Sequence, residues 1–313
     1  KDRLSGALDL VSSNAAGQAA LNGTDDDTVS ISADGRYVAF ETGAANFGLP
    51  QGSWPEVFVK DMVTGTVKMA TIKGDGTPSG GYCSMEANSL SDDGRFVIFQ
   101  CTNEVLVGAG WGQVYVRDLV TNTTEVVSRR TGANGASTTA AAGRPAISRN
   151  GRFVSFQSRG YGGLGHANGV DITGNSGVYL RDRVTHVTTS IPRPAIMPAD
   201  DYDSCNVSAV SDLGTVILPC LMELPGSLGQ VSQVFEYTPG QPSPELISHN
   251  PSHQPGNGQS GYSMGVNASG LSIVWESTAS DLIQGDTNGF SDIYMLVDSS
   301  LLSDEIFANG FQH

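Results

Sequence analysis

A chain of 313 residues with 39 glycines and no amphipathic helical stretch suits many short strands joined by tight turns. Its 17 Lys and Arg against 32 Asp and Glu give a formal charge of -15, a field that repels phosphate backbones and anionic lipid headgroups. No apolar run has transmembrane length and the opening KDRLSG carries no export signal, so a mature soluble chain is expected, with neither nucleic acid nor membrane as partner.

In chain order, the first strand candidate lies in ALDLVSSNAAG at 7–17. Next comes SADGRYVAF at 32–40, which returns as SDDGRFVIF at 91–99 and SRNGRFVSF at 148–156. Aligned on the first residue of this phrase, the copies start at Ser32, Ser91, Ser148, Ser211 and, in decayed form, Asn267, a spacing of 56 to 63 residues. An apolar residue precedes each start (Ile31, Leu90, Ile147, Val210, Val266). Eight residues after it stands Phe40, Phe99, Phe156 or Trp275, with Pro219 in the fourth copy. Asp-Gly or Asn-Gly between two apolar runs predicts a hairpin.

A second phrase follows in every copy: EVFVKDM, QVYVRDL, GVYLRDR, QVFEYTP and DIYMLVD. A further strand follows most of them, as TVKMATI, TTEVVS, HVTTSI and PELIS. Each copy is thus a four-stranded meander of about 45 to 60 residues, the size of one propeller blade. The fifth copy lacks its own fourth strand, and the segment at 7–14 matches the register of that strand. The expected fold is an all-β, five-bladed β-propeller of four-stranded antiparallel blades, closed by the N-terminal strand. It forms a single domain over 1–300 with blades near 29–72, 86–128, 143–191, 205–248 and 262–298, followed by a tail at 301–313.

The start residue, DGR-aromatic-V-x-F and then V-aromatic-V-R-D-L together resemble the β-propeller repeat of TolB-type proteins. The likeness is specific in the first three copies, weaker in the last two, and spans nearly the whole chain. GDTNGFSDIY at 285–294 resembles the loop and strand of secreted bacterial versions, and the tail SDEIFANGFQ resembles a C-terminal ending of exported bacterial proteins. The resemblance implies a fold and an extracytoplasmic binding role. It implies no reaction, because function resides in sites grafted onto folds.

The four cysteines flank hairpin turns almost symmetrically, Cys83 and Cys101 in the second copy, Cys205 and Cys220 in the fourth. Disulfides Cys83–Cys101 and Cys205–Cys220 are expected, and with them an oxidising compartment, secreted or periplasmic.

In a propeller the first strand of each blade lines the channel. Five residues before each start stand Asp27, Glu86, Gly143, Asn206 and Tyr262, with Asp25, Asp26, Arg144, Asp201 and Asp203 close by. This set predicts a polar ligand site at one mouth, with solvated acidic loops as the plainer alternative. In a glycosidase-like version Asp27, Glu86 and Asp203 would be the acids. Trp54, Trp111 and Tyr161 lie on glycine-rich loops between second and third strands, where they can stack on sugars, anchor a protein, or pack onto their own blade.

Asp286, Asn288 and Asp292 have the oxygen ligands and spacing to hold calcium, or to form an Asx turn; no other cofactor is expected. GYSMG at 261–265 matches G-x-S-x-G around Ser263, but a strand start is the wrong context for a nucleophile elbow. His249 and His253 stand four apart, yet Pro251 breaks the helix that would align them, which argues against a shared metal. The Arg of DGR or NGR (Arg36, Arg95, Arg152) and the Asp of the second phrase (Asp61, Asp118, Asp182) vanish together in copies four and five, so they are expected to pair as scaffold. The leading function is non-catalytic binding of a glycan or protein by a monomer. A carbohydrate-active enzyme and a bare interaction scaffold are the alternatives.

Overall fold

The computed structural model describes residues 6, 8–21, 28–50, 53–102, 106, 112–159, 164, 176–197, 205–206, 209–224 and 229–298. The chain divides into two compact units, Lys1–Ser190 and Ile191–His313.

The first unit holds three four-stranded antiparallel meanders. They are β1 (Ser30–Ile31), β2 (Tyr37–Thr42), β3 (Glu56–Asp61) and β4 (Val67–Met69); β5 (Cys83–Ser84), β6 (Phe96–Cys101), β7 (Gln113–Asp118) and β8 (Thr123–Val126); and β9 (Ala142–Ile147), β10 (Phe153–Arg159), β11 (Ser176–Asp182) and β12 (Val187–Ser190). The second unit holds a fourth meander, β13 (Ala209–Val210), β14 (Val216–Glu223), β15 (Gln230–Tyr237) and β16 (Glu245–Leu246). It also holds a three-stranded sheet, β17 (Ser260–Val266), β18 (Ser272–Ser277) and β19 (Asp292–Val297). Five such sheets fit the blades of a five-bladed propeller. Among the described residues there is no α-helix, and no helix long and apolar enough to cross a membrane.

The expected closing strand is not among these elements. Residue 7 lies outside the described residues, and 8–21 carry only the bridge Ser13 to Ala19. That bridge repeats Ile72 to Pro78, Arg129 to Ser137 and His249 to Pro255, so residues 11–20 form the hairpin that elsewhere follows a fourth strand. Lys60 on β3 fixes this hairpin by donating to the Leu10 carbonyl at 3.0 Å and to the Ser13 hydroxyl. Arg181, at the same place on β11, donates to the carbonyls of Arg130 and Gly132 in the hairpin after β8.

The start serine is there for its hydroxyl. Ser32 Oγ donates to Asp34 at 2.7 Å and accepts the N–H of Tyr37 at 2.9 Å, and Ser91 and Ser148 do the same with Asp93 and Phe96, and with Asn150 and Phe153. The turn glycine meets two demands. Gly94 sits at φ 68°, and a Cβ on it would come within 2.0 Å of the Tyr37 ring of the preceding sheet. Only glycine allows both the left-handed backbone and that approach.

The expected ion pairs form: Arg36–Asp61, Arg95–Asp118 and Arg152–Asp182, each with an N···O distance of 2.7 Å, and each guanidinium also covers the next aromatic ring. The aromatic eight residues after the start stacks on its cross-strand partner in Phe40–Phe58, Phe99–Tyr115, Phe156–Tyr179 and Trp275–Tyr294. The last three of these ladders lie in the apolar layers between successive sheets, whereas Phe40 and Phe58 pack with Leu49, Phe47 and Val11. Ala39, Val57 and Val59 meet Phe99 and Tyr115, Ile98 and Val114 meet Phe156 and Tyr179, and in the second unit Ile217 and Val234 meet Trp275 and Tyr294. Burial of each such ring contributes about 1.5–3 kcal/mol.

Both expected disulfides are present. Cys83 lies directly opposite Cys101, and Cys205 opposite Cys220. β5, which carries Cys83, and β13, which starts four residues after Cys205, are each two residues long, so the covalent bridges hold an edge that few ladder hydrogen bonds hold.

Candidate binding surface

Of the residues expected at the channel mouth, Asp27 and Asp203 lie outside the described residues, as do Asp25, Asp26, Asp201, Trp111 and Tyr161. Glu86, Arg144 and Trp54 fall in the first unit, Asn206 and Tyr262 in the second. Of the three acids in the glycosidase-like reading only Glu86 is described, half-buried two residues beyond the end of β5.

In the first unit a continuous run of contacts starts at Trp54, on the loop between β2 and β3. Trp54 is 61% exposed, and its indole stands edge-on to Tyr82 with ring centroids 6.1 Å apart. Tyr82 immediately precedes Cys83, so the Cys83–Cys101 bridge anchors it. One residue beyond, Ser84 Oγ accepts Gln100 Nε2 at 3.0 Å, while Gln100 Oε1 accepts the backbone N–H of Arg144 at 2.7 Å. Arg144, the third residue of β9, sits at φ 49°, left-handed for a residue with a side chain, and is exposed. Such a backbone costs about 1–2 kcal/mol and is held here by the Gln100 clasp. The surface therefore offers an exposed indole and an exposed guanidinium in a chain of charge -15, while the buried Ser84 hydroxyl and the Gln100 amide form the framework behind them.

Tyr82, Ser84 and Gln100 were not singled out in the sequence. Tyr82 was accessible, since GYCSM at 81–85 repeats the Gly-Tyr of GYSMG at 261–265. Gln100 was hidden because its partner is a backbone N–H of another sheet.

In the second unit the Asn206 N–H donates to Pro219 O beside the Cys205–Cys220 bridge, and Tyr262 is 73% exposed at the start of β17. Ser263 is an interior residue of β17, which runs to Val266 without a helix, so the context of a nucleophile elbow is missing. In the 286–292 loop, Asn288 Oδ1 accepts the Phe290 N–H at 2.7 Å and its Nδ2 donates to Asp292 at 2.9 Å, the pattern of an Asx turn. Asp286 accepts the Tyr294 hydroxyl at 2.8 Å. Burial, with Asp286 adding to it, pushes the Tyr294 hydroxyl up to about 12. Among the described residues no group of three or more His, Cys, Asp or Glu is placed to hold a metal.

A cleft of about 400 Å³ separates the first and second sheets, lined in part by Tyr37, Lys68, Asp93, Gly94 and Leu119. Between the second and third sheets the matching space is filled. There Arg183 covers the Phe96 ring at 4.4 Å, pairs with Glu125 at 3.2 Å and donates to Gly151 O. The residue after the repeated Asp decides the difference: Leu119 in one sheet, Arg183 in the next. Lys68 stands where Glu125 does and donates to the Leu119 carbonyl at 3.0 Å.

No protein-family model and no curated protein sequence matches the chain. Solved structures do. The β-propeller domain of the Trilobed protease from Pyrococcus furiosus superimposes with a TM-score of 0.51 at 11% identity, over 88% of this chain and 68% of that one. An oligogalacturonate lyase in complex with manganese gives 0.50 at 14% identity, over 86% of this chain and 61% of that one. TolB from Acinetobacter baumannii gives 0.40 at 15% identity, over 76% of this chain and 48% of that one. The fold is that of a β-propeller. At such identities the likeness extends to the fold alone.

Proposed function

We propose that the chain is an exported, non-catalytic binding protein that takes a glycan or a protein partner through the surface running from Trp54 to Arg144. One observation carries this reading: an exposed tryptophan is held edge-on to a tyrosine that a disulfide anchors, in line with an arginine whose strained backbone is clasped from the neighbouring sheet. Burying such an anchor is what makes aromatic and arginine residues dominate binding energies. Two disulfides and no free cysteine among the described residues favour an oxidising compartment, outside the cytoplasm. The TolB-type repeat gives a family context for such a role. The same repeat supports ring closure, with 7–14 as the fourth strand of the fifth sheet, because residues 11–20 already adopt the hairpin that follows a fourth strand elsewhere.

A thermal-shift screen against neutral and acidic oligosaccharides, with calcium and EDTA as separate arms, tests the proposal. A ligand that binds only the folded chain raises its melting temperature by mass action. A rise with one sugar class that disappears in Trp54→Ala supports a glycan. No rise with any sugar leaves the protein partner, and a rise that persists in both Trp54→Ala and Arg144→Gly places the site elsewhere and overturns the reading. A calcium-dependent rise abolished by Asp292→Asn would assign an ion to Asp286, Asn288 and Asp292.

A further inference from the structure

The structure assigns a transition-metal site to His249 and His253, for a divalent ion that imidazole favours, such as Cu²⁺ or Zn²⁺. The two residues are brought together by the hairpin after β16. Pro251 rules out a helix between them, but the bridge His249 to Pro255 folds the chain back, and the imidazole centroids stand 4.8 Å apart. An imidazole nitrogen binds such ions at about 2.0–2.1 Å, which puts each ring centroid about 3.2 Å from the metal. Two rings held cis at about 90–109° would then lie about 4.5–5.2 Å apart. The observed separation falls inside that window.

Two further observations point the same way. His249 Nδ1 lies 2.9 Å from the Asn250 carbonyl, which can only accept, so Nδ1 carries the proton and Nε2 keeps its lone pair for a ligand. A backbone carbonyl on the far nitrogen is a usual way of orienting a metal-binding histidine. The second observation comes from the repeat. The hairpins at 14–18 and 73–77 make the same hydrogen bonds as that at 250–254, Asn14 N to Gln18 O and Lys73 N to Thr77 O against Asn250 N to Gln254 O. In the first two the left-handed position is Gly17 at φ 77° and Gly76 at φ 86°; in the third it is His253 at φ 58°. Histidine stands where the sister hairpins place glycine, and its ring lies 4.8 Å, centroid to centroid, from the only other histidine of that hairpin. His253 is exposed and His249 half-buried, so the pair is open to an ion and its waters.

The test is calorimetric titration of the untagged chain with CuCl₂, read together with the Cu²⁺ electron paramagnetic resonance spectrum, and repeated with ZnCl₂. One Cu²⁺ per chain with coupling to two imidazole nitrogens is expected. His253→Gly installs the residue that the sister hairpins use, so its melting temperature should equal or exceed that of the parent while Cu²⁺ affinity falls about tenfold or more. His249→Ala should weaken binding equally, and His186→Ala should leave it unchanged. No saturable binding by the parent chain, or an affinity unchanged in His253→Gly, overturns the assignment.

Discussion

Gln100 Oε1 accepts the Arg144 N–H at 2.7 Å, and the same oxygen lies 2.2 Å from the point where a Cβ on Gly143 would stand. The amide of one sheet therefore packs against Gly143 and holds the left-handed backbone at 144 in the first strand of the next, and a side chain at 143 would displace it. Arg144→Gly separates the clasp from the guanidinium. Release of about 1–2 kcal/mol of left-handed strain offsets the entropy cost of glycine, so the melting temperature should hold or rise. Affinity for any ligand found in the screen should fall about ten- to hundredfold, the size of a lost charged hydrogen bond. A drop of many degrees in the melting temperature without loss of affinity would show that Arg144 packs rather than binds.

The Cys83–Cys101 bridge closes a segment with a sequence separation of 18 and holds an inner strand two residues long. The double variant Cys83→Ala, Cys101→Ala should lose about 3 kcal/mol of stability, by the chain-entropy estimate for a loop of this length. Amide exchange should accelerate first at Ser84 and Met85, and Tyr82 should lose its fixed contact with Trp54. Equal melting temperatures for parent and double variant in non-reducing buffer would contradict this account.

The architecture could be read from the chain because repetition is written in local chemistry. Ser32, Gly35, Arg36 and Asp61 each act within one sheet, and a contact that closes within about 30 residues recurs with its residues. Both disulfides were legible for the same reason. What stayed hidden depends on neighbouring sheets or on loops without a repeat. The Gln100 clasp joins residues 44 apart, and the open cleft exists because Leu119 replaces Arg183. His249 and His253 were judged by helical spacing, whereas a hairpin brings them together. The acidic residues expected at the mouth, Asp27 and Asp203, lie outside the described residues.

Acid stability should follow the repeated ion pairs. The Arg36 guanidinium, with the N–H groups of Val63 and Thr64, holds the Asp61 carboxyl well below the usual carboxylate range, against the opposing effect of desolvation. Arg152 does the same for Asp182. A carboxyl whose value is lower in the folded chain contributes stability above its unfolded value of about 3.9 and loses that contribution as pH falls toward the folded one. Arg36→Ala should therefore lower the melting temperature at pH 7, by an amount that shrinks below about pH 4. A difference that stays constant down to pH 2 would exclude the ion pair as its source.

Glu56 behaves in the opposite sense. It occupies the position of Gln113 and Gln233, is 1% exposed, and accepts Ser79 Oγ at 2.8 Å and the Gly80 N–H at 3.1 Å. Burial pushes its carboxyl up, and the hydroxyl and N–H donors around it only partly oppose the shift. A carboxyl raised in the folded chain gives its full contribution below the unfolded value of about 4.3 and loses it as pH rises through the folded value. Glutamine, which Gln113 and Gln233 show can be satisfied here through Ser128 and Ser248, does not titrate. Whatever the offset between the two proteins in acid, Glu56→Gln should gain stability relative to the parent as pH rises from about 4.3, levelling off once the parent carboxyl is ionised. Melting temperatures at intervals from pH 4 to 8 check this, and parallel curves would mean that Glu56 ionises alike in the folded and unfolded chains, so that burial does not raise its carboxyl.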